Sequence, residues 1–240
     1  MTEFTTWRSL VDGEEISAIP DSDIFQDPIY RWVAGEGIGS NDGEEASTWQ
    51  DKLASITASS TGSPTYRENQ DGIEAVEYDD DTDDGHDWSG DADLPTGDDE
   101  FSIIVLMYKD DYSDQQQAVI WGEGNDGEAV SIRARSDNVE LQSFGVDSAS
   151  WTDVPTGEWI TAMGTHDGST GRIFGNGDTS EKDAMSPSYD LQDNNHAIGY
   201  NRVSDDGYFN GFIADVIISG TEESASDFET YHDEWMDIIT

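Results

Sequence analysis

Between Phe101 and Ser219 the chain alternates short apolar runs with clusters of Gly, Asn, Asp and Ser, and the runs have the length of β-strands. Phe101 to Lys109 is almost continuously apolar or β-branched, which predicts a central strand buried on both faces. Ala118 to Gly122 and Ala129 to Arg135 flank Glu123-Gly124-Asn125-Asp126-Gly127, a loop suited to a hairpin. Val139 to Phe144, Trp159 to Gly164, Arg172 to Gly175, His196 to Tyr200 and Tyr208 to Ser219 continue the series. Upstream, Ile73 to Tyr78 alternates apolar and acidic positions, as a half-buried strand does. No helical period separates these runs, so the pattern predicts an all-β antiparallel sandwich.

The period changes at the end of the chain. Phe228, Tyr231, Trp235 and Ile238 recur at three- and four-residue steps, which predicts one C-terminal helix with an apolar stripe on the sandwich. Ser226-Asp227-Phe228-Glu229 reads as its capping box. The first part, to about Glu45, offers at most two strands, among them Ile29 to Ala34. The stretch from Asp79 to Glu100 reads as a long acidic loop.

Charge alters this picture more than any motif. The chain has 54 Asp and Glu against 10 Lys and Arg, a formal net charge of -44 spread over every segment. Such a charge destabilises a compact state in dilute buffer. At about 1 M salt the Debye length shrinks to about 3 Å and most of that repulsion disappears. The composition therefore describes a protein of a halophile, working in concentrated salt. Disorder, the other usual meaning of high charge, conflicts with 10% aromatic residues and regular strand patterning. A mimic of nucleic acid, or a partner for basic proteins, remains open on charge alone. Direct nucleic-acid binding is excluded by the lack of a basic patch. No run approaches the roughly 18 apolar residues of a membrane helix, and Met1 to Val11 lacks the features of a signal peptide. Cysteine is absent, so neither disulfides nor thiolate chemistry enters.

Several segments resemble, in order, the motifs of concanavalin A-like (laminin G-like) jelly-roll domains of phage and virus surface and tail proteins. They are Ser47-Thr48-Trp49-Gln50-Asp51, Gly62-Ser63-Pro64-Thr65-Tyr66, Gly72 to Asp79, Phe101 to Val105, Gly157-Glu158-Trp159 and Phe209 to Val216. The resemblance runs from Ser47 to the C-terminal helix. It implies a jelly-roll over 47–240 and leaves 1–46 as a segment for docking or oligomer contacts.

Three kinds of chemistry are candidates. Asp80, Thr82, Asp84 and Asp91 approximate a calcium-loop spacing, where convergent oxygens would hold Ca2+ or Mg2+; a hydrated acidic loop is the alternative. Trp88, Trp121 and Trp151 fall near loops or strand ends, where aromatic faces stack on sugar rings, and Tyr108, Tyr112, Tyr200 and Tyr208 cluster near turns; core packing is the alternative. Glycosidase chemistry needs two carboxyl groups about 5–5.5 Å apart for retention. Glu74 and Glu77 are spaced to opposite faces of a strand, and the jelly-roll glucanase signature is missing. His86, His166, His196 and His232 are scattered, and no phosphate loop, nucleophile elbow or catalytic residue set emerges.

The resulting expectation is a non-enzymatic structural and adhesive protein on the surface of a haloarchaeal virion, as tail, fibre, turret or capsid decoration. Its partners would be other virion proteins and host surface glycoprotein, and it would form a homo-oligomer. A cell-encoded carbohydrate-binding module is the alternative, and a glycoside hydrolase or lyase on the same fold is a further one.

Overall fold

A computed structural model describes residues 24–89, 93–109, 115–135 and 137–239, and the backbone of 10–11 and 14–15. Two short strands, β1 (Leu10–Val11) and β2 (Glu14–Glu15), pair with each other. The sandwich proper begins at β3 (Pro28–Val33), followed by one helical turn, α1 (Ala34–Gly37). Then come β4 (Thr48–Gln50), β5 (Thr57–Thr61), β6 (Thr65–Gln70), β7 (Ile73–Tyr78), a 3-10 turn at Asp80–Thr82 and β8 (Gly85–Trp88). The regular series is β9 (Phe101–Lys109), β10 (Gln116–Gly122), β11 (Ala129–Arg135), β12 (Asn138–Ser143), β13 (Asp147–Trp151), β14 (Glu158–His166), β15 (Gly171–Gly175), β16 (Asp183–Met185), β17 (His196–Ile198) and β18 (Gly211–Ser219). Helix α2 (Ala225–Ile239) closes the chain.

The strands form two antiparallel sheets. One runs β16-β15-β14-β9-β18-β7-β6, with β3 beside β7 on the same edge of β18. The facing sheet runs β13-β12-β11-β10-β17-β8-β5-β4. Alternation along β9 explains its unbroken apolar run. Phe101, Ile103, Val105 and Met107 point between the sheets, while Ile104 and Leu106 point outward into a second core. That second core lies under α2, whose Phe228, Tyr231 and Trp235 are buried against Met163, Ala214 and Ile217. One outer face of the sandwich is thus sealed by a helix.

A buried ion pair ties this side together. Arg31 on β3 and Asp215 on β18 are 1% and 0% exposed, with Nη2 and Oδ2 2.6 Å apart, and the Tyr231 hydroxyl donates to the same Oδ2 at 3.0 Å. Strand β3 also buries Tyr30 and Trp32. The folded unit therefore starts ahead of the division at residue 46 expected from the motifs, because β18 needs a partner beyond the end of β7. The helix cap also lies two residues earlier than expected: Ser224 Oγ accepts from Asp227 N at 3.1 Å and donates to its carboxylate. Strand β8 falls inside the stretch expected as acidic loop. Its His86 and Trp88 face inward and Asp87 outward, a strand pattern disguised by the surrounding acids.

Candidate functional site

Among the described residues, no helix covers the outer face of the facing sheet. Strand register places Ser59, Asp87, Ala197, Ile120, Ser131, Gln142 and Ser148 in one row across it. A second row holds Gln117, Arg133, Glu140 and Ser150. These side chains alternate with core residues such as Val119, Ile132 and Leu141, so the strands are amphipathic, with polar groups turned away from the core. The second row is bonded within itself: Arg133 Nε donates to Glu140 Oε2 at 2.6 Å, and Ser150 Oγ donates to Glu140 Oε1 at 3.3 Å.

A strap, residues 199–208, crosses this face. Asn201 pairs with Asp206, and Asn201 Oδ1 accepts from Val203 N at 3.1 Å and Ser204 N at 3.3 Å. Asp205 and Gly207 take left-handed backbone at φ 54° and 60°, which turns the chain back. The strap packs Tyr200, Val203 and Tyr208 on Ile120 and Ala197, an apolar cluster separate from both cores. The Tyr200 and Tyr208 rings stack 5.4 Å apart and 5° from parallel. Tyr200 is buried and Tyr208 half-buried.

Polar groups surround this aromatic stack. The Tyr200 hydroxyl donates to Asp87 Oδ2 at 2.8 Å, and Arg202 Nη1 lies 3.3 Å from Asp87 Oδ1. Arg202 also donates to the Trp88 carbonyl at 2.9 Å, and the Tyr208 hydroxyl to Asp205 at 2.9 Å. Desolvation, followed by the hydrogen-bonded carboxylates, pushes the Tyr208 hydroxyl up to about 12 and moves Tyr200 in the same direction. Both hydroxyls therefore stay protonated donors. An aromatic platform edged by a carboxylate and a guanidinium can take an apolar ring face and its hydroxyl groups together.

The sequence-level candidates have other roles. Trp88 is buried between Trp32 and His196, with ring centroids 4.5 and 5.1 Å away. Trp121 is fully buried and donates to the Pro95 carbonyl at 3.3 Å. Trp151 packs on Gly175, where a Cβ would lie 2.5 Å from its ring. All three are core residues, because each sits on the inward face of its strand. Asp84 is buried and accepts from Ser63 N at 2.6 Å and Asp79 N at 3.2 Å, which pins two loops. Asp80 accepts from Gln116 and Asn210, and the Thr82 hydroxyl donates to the Asp79 carbonyl. Asp91 lies outside the described residues, as does Tyr112. Among the described residues no group of three or more acids and histidines converges as a cation site. Asp87 and Arg202 escape sequence reading, since an acid is uninformative in so acidic a chain. Tyr200 and Tyr208, bracketing Asn201-Arg202-Val203-Ser204-Asp205-Asp206-Gly207, were the legible signal.

The fold recurs in proteins of known structure. Domain 4 of an extracellular arabinanase from Geobacillus stearothermophilus, solved with arabinotriose, matches with a TM-score of 0.65 at 15% identity over 86% of this chain and 98% of its own. A botulinum neurotoxin type C structure matches at 0.63 and 11% identity, over 86% of this chain and 51% of the other. A Trypanosoma rangeli sialidase matches at 0.59 and 11%; this chain covers 97% of itself and 36% of that enzyme, about a third of its length. Comparison of the sequence with curated proteins gives no match. The family model of the concanavalin A-like lectins and glucanases matches residues 80–227, from the 3-10 turn into α2. With both sheets, the strap and the helix in place around that match, the chain belongs to the concanavalin A-like lectin/glucanase superfamily.

Proposed function

We propose that this chain is a non-catalytic glycan-binding module that works in concentrated salt on the surface of a haloarchaeal virus particle. The observation that carries the reading is the asymmetry of the sandwich. One outer face is sealed by α2, while the other presents the Tyr200–Tyr208 stack beside Asp87 and Arg202. The arabinanase domain solved with arabinotriose supports it, as does the neurotoxin whose cell entry depends on two ganglioside molecules. The charge of -44 supports the halophilic setting, and the resemblance to phage surface domains supports the virion.

Glycan-array binding in about 3 M KCl, where screening is nearly complete, tests the glycan reading with wild type and Tyr208→Ala. Wild type binds and the variant loses roughly two- to tenfold, the scale of removing one aromatic stacking contact. Binding unchanged in the variant moves the site elsewhere. Turnover of any bound polysaccharide overturns the non-catalytic assignment. Mass spectrometry of gradient-purified particles tests the virion placement, which fails if the chain is found in host cytosol alone.

A further inference from the structure

In a chain with 54 acids, a cation left without an acid partner marks a place from which carboxylates are kept away. Arg67, Arg172, Arg202, Lys52 and Lys182 each pair with at least one carboxylate at the surface. Arg135 is exposed, and among the described residues it has no ion-pair partner. It stands two positions after Arg133 on β11, so both project from the outer face, while Ile132 and Ala134 face the core.

Arg133 is itself only partly satisfied. Glu140 takes its Nε edge, and its two terminal nitrogens make no hydrogen bond among the described residues. Directly across the strand pair lies Gln117, fully buried, with neither amide oxygen nor amide nitrogen partnered. Unmet hydrogen-bonding capacity of that kind is costly and rare in a folded interior. It is also contiguous with the aromatic site. A Cβ at Gly207, the residue before Tyr208, would lie 3.7 Å from Gln117 Cγ, and Gln117 N donates to the Gly207 carbonyl at 2.8 Å.

Resting on the glycan reading above, we propose that Arg133 and Arg135 form an acid-recognising subsite, which seats a carboxylate or sulfate group carried by the sugar. The guanidinium nitrogens face the anion, and the unpartnered Gln117 amide lies buried directly across from Arg133, under the strap at Gly207. Glu140 orients Arg133 through its Nε edge and leaves the terminal nitrogens for the ligand. The net charge of the chain opposes an anionic ligand in dilute buffer. In molar salt the Debye length is about 3 Å, so repulsion from distant carboxylates vanishes and the direct contact decides.

The test uses an array of glycans in matched pairs, in about 3 M KCl: uronate oligosaccharides with their methyl esters, and sulfated oligosaccharides with their desulfated forms. Wild type is expected to favour the acidic member of a pair by about tenfold, the scale of a hydrogen bond to a charged group. Preference in the uronate pairs identifies a carboxylate ligand, and preference in the sulfate pairs a sulfate. Arg135→Gln should weaken the acidic member more than the neutral one and so remove most of the preference. Tyr208→Ala should weaken both members equally. Equal binding of acidic and neutral members by wild type overturns the subsite and leaves the glycan reading standing, as does an acid preference that survives Arg135→Gln. Binding of no glycan at all overturns both.

Discussion

His86 sits at the centre of the fold with its imidazole fully buried, and its protonation state should set the acid limit of stability. Its Nδ1 lies 2.9 Å from the Tyr78 hydroxyl and its Nε2 2.6 Å from the Ala46 carbonyl. The carbonyl can only accept, so Nε2 carries the hydrogen and Nδ1 accepts from Tyr78. Burial pulls the imidazole from 6.5 down to about 4, against smaller opposing contributions from the Ala46 carbonyl and Asp87. The unfolded chain then binds a proton at a pH where the native state does not, so stability falls as pH drops from 6.5 towards 4. Integrating that difference between pH 7 and pH 5 gives a loss of about 2 kcal/mol from this one group. The assay is urea unfolding in about 3 M KCl, followed by tryptophan fluorescence, on wild type and His86→Gln at matched pH. Carboxylate titrations occur in both proteins and cancel in the difference. The variant should start less stable and lose about 2 kcal/mol less than wild type across this range. Parallel pH profiles for the two proteins would refute the assignment of a neutral, buried imidazole.

Other perturbations have equally definite outcomes. Asp215→Ala removes from the interior the carboxylate that the Arg31 guanidinium and the Tyr231 hydroxyl share, and should cost about 3–5 kcal/mol in the same unfolding assay. Gly85→Ala places a Cβ 2.2 Å from the Tyr200 ring, so it should displace the tyrosine stack and weaken glycan binding while near-ultraviolet dichroism reports a folded core. Dialysis from about 3 M KCl to millimolar salt should unfold the chain through unscreened repulsion; a native fluorescence spectrum in dilute buffer would contradict the halophilic reading.

The strands that were legible in the sequence are those whose inward residues are large and apolar. β9, β11, β14 and β18 bury Ile, Val, Leu and Met on strand spacing, and the C-terminal stripe of Phe228, Tyr231 and Trp235 announces a helix. β5, with Thr-Ala-Ser-Ser-Thr, buries little more than Ala58, and β8 buries His86 and Trp88 between acidic neighbours, so both are hidden by composition. The tryptophans illustrate the same limit at the site. Trp88, Trp121 and Trp151 lie near strand ends in sequence, but the parity of each strand turns them inward.

Sequence alone determined the class of fold and the family motifs, and its net charge carries the proposal of a concentrated-salt setting, because net charge and hydrophobic period are properties summed along the chain. It also determined that Tyr200 and Tyr208 bracket a turn. Tertiary structure decided that their rings stack on one another over Gly85, that Asp87 from a strand more than a hundred residues earlier meets Arg202, and that Arg133 and Gln117 share a face. Those juxtapositions depend on the order β8-β17-β10-β11 within the sheet, and pairing between strands so distant in sequence is fixed by how the two cores close, which no local pattern encodes.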